Sequence, residues 1–214
     1  QWQWNHTPHN HLWSVTERTG ALRLYTGKLC QDLTQSYNTL TQRTMEDRSK
    51  AVVTIDGSAM KENDVAGISA FLGGYAAVAL LLEEGCYYIA MFAREPESPE
   101  HFGEKDTVPN ELLYQKVRVD SPIVTLGCVL DYEGDKEEAS FYYKQGEAFI
   151  PIGIAHKMVF SLDHFMGCRF GLFYYAKEQL GGHVDFMNFC YEQSLRGGMF
   201  RVPSRTLASF VRNA

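Results

Sequence analysis

The amino-acid sequence predicts an all-β fold, a two-sheet antiparallel sandwich or jelly roll, and three observations carry that expectation. Short apolar or alternating runs recur along the 214 residues, turn-forming residues stand between them, and helical periodicity over ten or more residues is hard to find. At this length a single core can bury roughly 70–75% of the surface exposed by the unfolded chain, so one compact unit is expected.

The expected strands follow in order. Ala21–Tyr25 alternates through Leu22-Arg23-Leu24, as a strand with one wet face does. Ala51–Ile55 is next, ended by the turn pair Asp56-Gly57. Val65–Leu72 and Tyr75–Leu82 flank Gly73-Gly74, and the second of them reads as buried on both faces. Cys86–Phe92 comes after Glu84-Gly85, and Leu112–Val119 alternates through Val117-Arg118-Val119-Asp120 before the break at Ser121-Pro122. Ile123–Asp131 and Ala139–Tyr143 enclose Glu133-Gly134-Asp135, and Asp185 enters a final strand. Lys105–Leu113 and His156–Asp163 could each hold a helical turn or two. The acid-rich segment Arg94–Asp106 reads as a solvated loop. Residues 1–192 form the expected sandwich domain. Residues 193–214 contain Arg196, Arg201, Arg205 and Arg212 and no acid, and they read as a loosely packed basic extension.

Twenty-six acids against 20 bases, a net charge of −6, argue against a nucleic-acid binder, which concentrates Lys and Arg on one surface. A neutral ligand such as a sugar fits better. No apolar stretch approaches the roughly 18 residues of a membrane span, and no membrane partner is expected. The chain opens on Gln1 without a basic-then-apolar leader, as expected of a processed product or a piece of something longer. Cys30, Cys86, Cys128, Cys168 and Cys190 are widely spaced without C-x-x-C, and they read as free thiols beside apolar runs.

The usual signatures of acyl transfer, zinc proteolysis and nucleotide binding are absent. His6, His9 and His11 have a spacing that could ligate a transition metal, although the stretch reads as a loop. Glycosidic cleavage usually needs two carboxylates across a cleft; Asp131, Asp163 and Asp185 are candidates, each with a simpler structural role. For Asp185 that role is to bond backbone donors or to hold a structural cation. Aromatic residues are the more informative set. Trp2, Trp4, Trp13, Tyr174 and Tyr175 are candidates for stacking on sugar rings, against the plainer reading that most of them are core.

The opening Gln1–Pro8, the runs Trp13–Arg18 and Leu22–Leu24, Asn38–Thr44, Met60–Phe71, Phe165–Ala176 and Gly181–Phe186 together resemble, in one colinear order over residues 1–192, a known domain. It is the C-terminal β-sandwich of family 43 glycoside hydrolases, the β-xylosidases and α-L-arabinofuranosidases, also described as carbohydrate-binding module family 91. The resemblance implies a concanavalin A-like sandwich beside an N-terminal five-bladed propeller that carries the catalytic carboxylates. It further implies xylan, arabinoxylan or xylo-oligosaccharides as substrate, a bacterial source, and no cofactor beyond, at most, a structural calcium. Secreted, periplasmic and cytoplasmic locations all agree with it. It places Phe165 on a loop that reaches the propeller's substrate pocket, with His164, Met166 and Arg169 sharing that loop, and it gives this chain no catalytic residue of its own. An accessory domain, an independent xylan-binding module and a purely structural domain are the three roles left open.

Overall fold

A computed structural model describes residues 2–96, 110–158, 167–195 and 198–200, the last two stretches from residue 193 onward by their backbone alone. Fifteen strands run in chain order: β1 (Trp2–Trp4), β2 (Trp13–Ser14), β3 (Ala21–Tyr25), β4 (Leu40–Arg43), β5 (Arg48–Ala59), β6 (Asp64–Leu72), β7 (Gly74–Glu83), β8 (Cys86–Arg94), β9 (Leu112–Val119), β10 (Ile123–Asp131), β11 (Glu138–Gln145), β12 (Ala148–Lys157), β13 (Arg169–Ala176), β14 (His183–Leu195) and β15 (Gly198–Phe200). The helical content is two short 3₁₀ turns, Asn10–Leu12 and Leu33–Gln35, among the described residues. The fold is the expected all-β sandwich. Its first sheet has the order β1-β4-β13-β6-β7-β8-β9; its second has β12-β11-β10-β5-β14-β3-β2, with β15 paired to β14. Every pairing between these strands is antiparallel.

One core lies between the sheets. Ile68, Val78, Met91 and Leu172 of the first sheet meet Val53, Ile55, Leu126, Phe141 and Phe186 of the second. A second apolar cluster covers the other face of the first sheet: Val65, Phe71, Tyr75, Ala77, Ala79, Ala90, Phe92, Phe173 and Tyr175 pack with Cys30 and Leu33. Central strands β6, β7 and β13 are therefore buried on both faces, which is why Tyr75–Leu82 reads as an unbroken apolar run. The second sheet keeps its outer face wetter, and β5 alternates buried with half-buried residues over most of its length.

The predicted turns at Gly73, Glu84-Gly85 and Gly134 form as expected, each with positive φ. Asp56-Gly57 does not turn. Strand β5 runs through it to Ala59, because Gly57 lies under Leu80 and Met60, where a Cβ would come within 2.6 Å of both side chains. The chain reverses instead at residues 60–63, with Asn63 at φ 62°. The helical turns expected at 105–113 and 156–163 hold no helix where the structure describes them: Asn110 and Glu111 lead irregularly into β9, which Leu112 and Leu113 open, and His156 and Lys157 close β12 before Met158. Strand β14 runs past residue 192 to Leu195, and its backbone pairs with β15.

Candidate functional site

One end of the sandwich holds Met158 and Gly167, the described flanks of the segment singled out by the sequence. Three hydrogen bonds gather it: Tyr132 N–H donates to the Asp47 carbonyl (2.6 Å), Met158 N–H to that of Glu137 (2.7 Å), and the Thr44 hydroxyl to that of Cys168 (2.6 Å). The β6–β7 turn and Arg94–Glu95 reach the same end, since Arg169 pairs with Phe71 and Tyr75 pairs with Arg94. Phe165, His164, Met166 and Asp163 lie outside the described residues, between the flanks Met158 and Gly167.

Arg169 is described, and it is not an exposed pocket residue. It opens β13 with 4% of its surface accessible, donates from NH1 to the Thr41 hydroxyl (3.2 Å), and stands opposite Arg43 in register. Burial and then the neighbouring Arg43 pull its pKa down. Behind it, the Cys168 thiol is pushed up to about 11 by burial, the state of an inert core thiol rather than a nucleophile. His156, also buried, faces Glu95 at 3.6 Å, and burial pulls its pKa down.

The candidate stacking residues separate into two groups. Tyr174, Tyr175 and Trp2 are buried, so the expectation that they offer ring faces to a sugar is corrected. Tyr174 points into the core between the sheets and Tyr175 into the cluster on the first sheet's other face. One residue of each adjacent pair would face solvent on a sheet with one covered side; here both sides are covered. Trp2 packs edge-on against Phe189 at 4.6 Å. Trp4 and Trp13 remain half-buried, with ring centroids 5.3 Å apart at the edge formed by β1 and β2. Tyr37, another half-exposed ring, is stacked with His9 at 4.1 Å and also faces the Lys28 ammonium at 4.5 Å. Beside it is a shallow depression, with room for little more than a water molecule, lined by Tyr25, Lys28, Ser36, Asn38 and Tyr174 among others.

The candidate carboxylates that the structure describes, Asp131 and Asp185, are committed to partners. Asp185 on β14 stands between Arg23 on β3 and Asp56 on β5. Its two oxygens take Arg23 Nε (2.7 Å), Arg23 NH2 (2.8 Å) and Arg18 NH1 (2.9 Å), and Arg18 NH1 also reaches Asp56 (2.7 Å). Burial would raise the pKa of Asp185, but the hydrogen bonds from Arg23 and Arg18 outweigh it and hold the carboxyl below the usual carboxylate range. Of the structural roles expected of Asp185, the one seen is ion pairing rather than backbone bonding: its partners are the guanidinium groups of Arg23 and Arg18. Asp131 accepts the Glu133 N–H at its hairpin turn and pairs with Lys136. Asp32 caps the 3₁₀ turn at Leu33 and binds Arg94 at 2.8 Å, while Glu111 accepts the Tyr75 hydroxyl. No group of three His, Cys, Asp or Glu side chains able to hold a metal comes together among the described residues. Two arrangements escaped sequence reasoning, the Arg18–Arg23–Asp56–Asp185 network and the buried Asp64–Tyr174 pair. Members on β3, β5 and β14 and in the turn before β3, up to 167 residues apart, leave no local signal for the first. The second was signalled by Asp64 standing directly before Val65-Ala66-Gly67.

Two antiparallel sheets packed face to face around one core, with almost no helix among the described residues, define a β-sandwich domain. Residues 1–192 match the Beta xylosidase C-terminal Concanavalin A-like domain, and the chain belongs to that family. A curated beta-xylosidase of Formosa agariphila is 28% identical over 90% of this chain, which spans about a third of that protein's length. A bifunctional GH43-CE protein of Bacteroides eggerthii aligns over 91% of this chain and 24% of its own, with 37% identity and a TM-score of 0.80. A GH43 protein from Bacillus licheniformis, 23% identical with a TM-score of 0.70 over 89% of this chain and 36% of its own, shares the fold.

Proposed function

We propose that this chain is the accessory sandwich of a hemicellulose-degrading family 43 glycosidase, completing or shielding the active site of a propeller domain that lies outside these residues. The observation that supports the reading is the family match over residues 1–192, in a chain that spans about a third of the matched beta-xylosidase. Phe165 then closes the substrate pocket: an apolar ring at a pocket mouth excludes water and shapes the subsite without exchanging a proton. Xylan-type chains or arabinofuranosyl side chains are the substrate of the whole protein, in keeping with the names of the relatives.

The test has two arms. The purified chain releases no xylose or arabinose from synthetic glycosides, and Phe165→Ala in the intact enzyme lowers kcat/KM about 10-fold or more, the scale of losing a well-buried apolar contact to substrate. Hydrolysis by the isolated chain, or an unchanged kcat/KM in the variant, contradicts the proposal. An independent xylan-binding module is the second reading, favoured by the half-exposed Trp4–Trp13 pair.

A further inference from the structure

At the end of the sandwich opposite Met158 and Gly167, a carboxyl group is shut inside the core. Asp64, the first residue of β6, has no accessible surface. Its Oδ2 accepts the Tyr174 hydroxyl of β13 and, at 2.7 Å, the backbone N–H of Lys61. Its Oδ1 has no hydrogen-bond partner. Gly182 closes over the pair: a Cβ there would stand 2.2 Å from the Tyr174 hydroxyl and 2.6 Å from Oδ2, so there is no room beside them for a larger residue. The same glycine accepts the N–H of Thr26, and Gly181 N–H donates to the Thr26 hydroxyl. The cluster therefore joins the 60–63 turn, β13 of the first sheet and the entry to β14 of the second.

The groups acting on Asp64 among the described residues are Tyr174 and Lys61, and the Lys61 side chain is exposed and makes no ion pair with it. A buried carboxylate with one orphaned oxygen, opposed only by the exposed Lys61 ammonium without an ion pair, is costly, whereas the neutral acid keeps both of its hydrogen bonds and avoids a weakly compensated charge. We propose that Asp64 is a proton-operated latch: protonated, it lets the two sheets close on each other at this end, and ionised, it loosens the 60–64 and 181–183 segments.

Burial pushes the Asp64 pKa from 3.8 up to about 6, against the hydrogen bonds that favour the charge. A folded-state pKa raised above the unfolded one gives stability that is fully present below pH 3.8 and is lost as pH rises through about 6. The two-unit gap corresponds to roughly a 100-fold change in the folding equilibrium. Urea unfolding of the 214-residue chain and of Asp64→Asn at pH 4.5, 6 and 7.5 reads it, since the amide can keep both acceptor contacts and never ionises. The ratio of the two unfolding constants should shift by 10-fold or more in favour of the variant between pH 4.5 and 7.5; parallel curves overturn the proposal. Should the variant fail to fold, the side-chain carboxyl carbon of Asp64, followed by NMR in the unmutated chain, decides: a midpoint near 6 supports the latch and a midpoint at or below 4 overturns it.

Discussion

The two sheets bury their outer faces by opposite means. The first sheet covers its outer face with a second apolar cluster, so that Ala77, Ala79, Ala90 and Phe173 have no accessible surface on the side away from the main core. The second sheet leaves its outer face half-wet and crosses it with charge, Arg18 and Arg23 bridging Asp185 and Asp56 across β3, β14 and β5. The first arrangement is non-directional and scales with area; the second depends on geometry and on protonation. The apolar cluster on the first sheet's outer face should thus tolerate pH and fail on truncation. The second sheet's outer face should do the reverse.

The largest expected effect is in the apolar cluster. Phe173→Ala removes a fully buried ring from the first sheet's outer face, and it should destabilise the chain by about 3–5 kcal/mol, independent of pH, by urea denaturation. A loss below about 1 kcal/mol would mean that the cluster is a loose covering rather than a second core.

Asp185→Asn is the matching change on the other sheet. It removes the negative partner of Arg23 and Arg18, and because Arg18 remains 38% exposed the cost should be smaller, about 2 kcal/mol at pH 7. The sign with pH is opposite to that at Asp64. The folded pKa of Asp185 is depressed, so its contribution is present above the unfolded value of 3.8 and disappears as pH falls through the folded one. The gap between Asp185→Asn and the unmutated chain should close in acid, whereas a gap that persists at pH 2 would show that shape, not charge, sets the effect.

The same contrast explains what the sequence revealed. Alternation and apolar runs exposed most strands and the turns at Gly73, Glu84-Gly85 and Gly134, because those signals are local. Gly57 misled: glycine between strand residues is needed there for close packing under Leu80, not for a turn. Strand β12 was hidden for another reason. It is an edge strand with Pro151 inside it and exposed residues on both faces, so it carries no clean period. At the candidate site, the rule that adjacent aromatics point to opposite faces held for Tyr174 and Tyr175, but covering both faces of the first sheet is a tertiary property that no local pattern reports. The partners of Asp185 are equally non-local, since Arg23 lies 162 residues away in the chain.

The central claim is that the sandwich acts only against a companion domain and has no sugar site of its own. Isothermal titration of the isolated chain with xylohexaose, and separately with arabinoxylan, tests it most directly. The account predicts no heat beyond dilution up to millimolar ligand. Saturating heat that is lost when Trp4 or Trp13 is changed to Ala would contradict it and make the β1–β2 edge a xylan-binding platform.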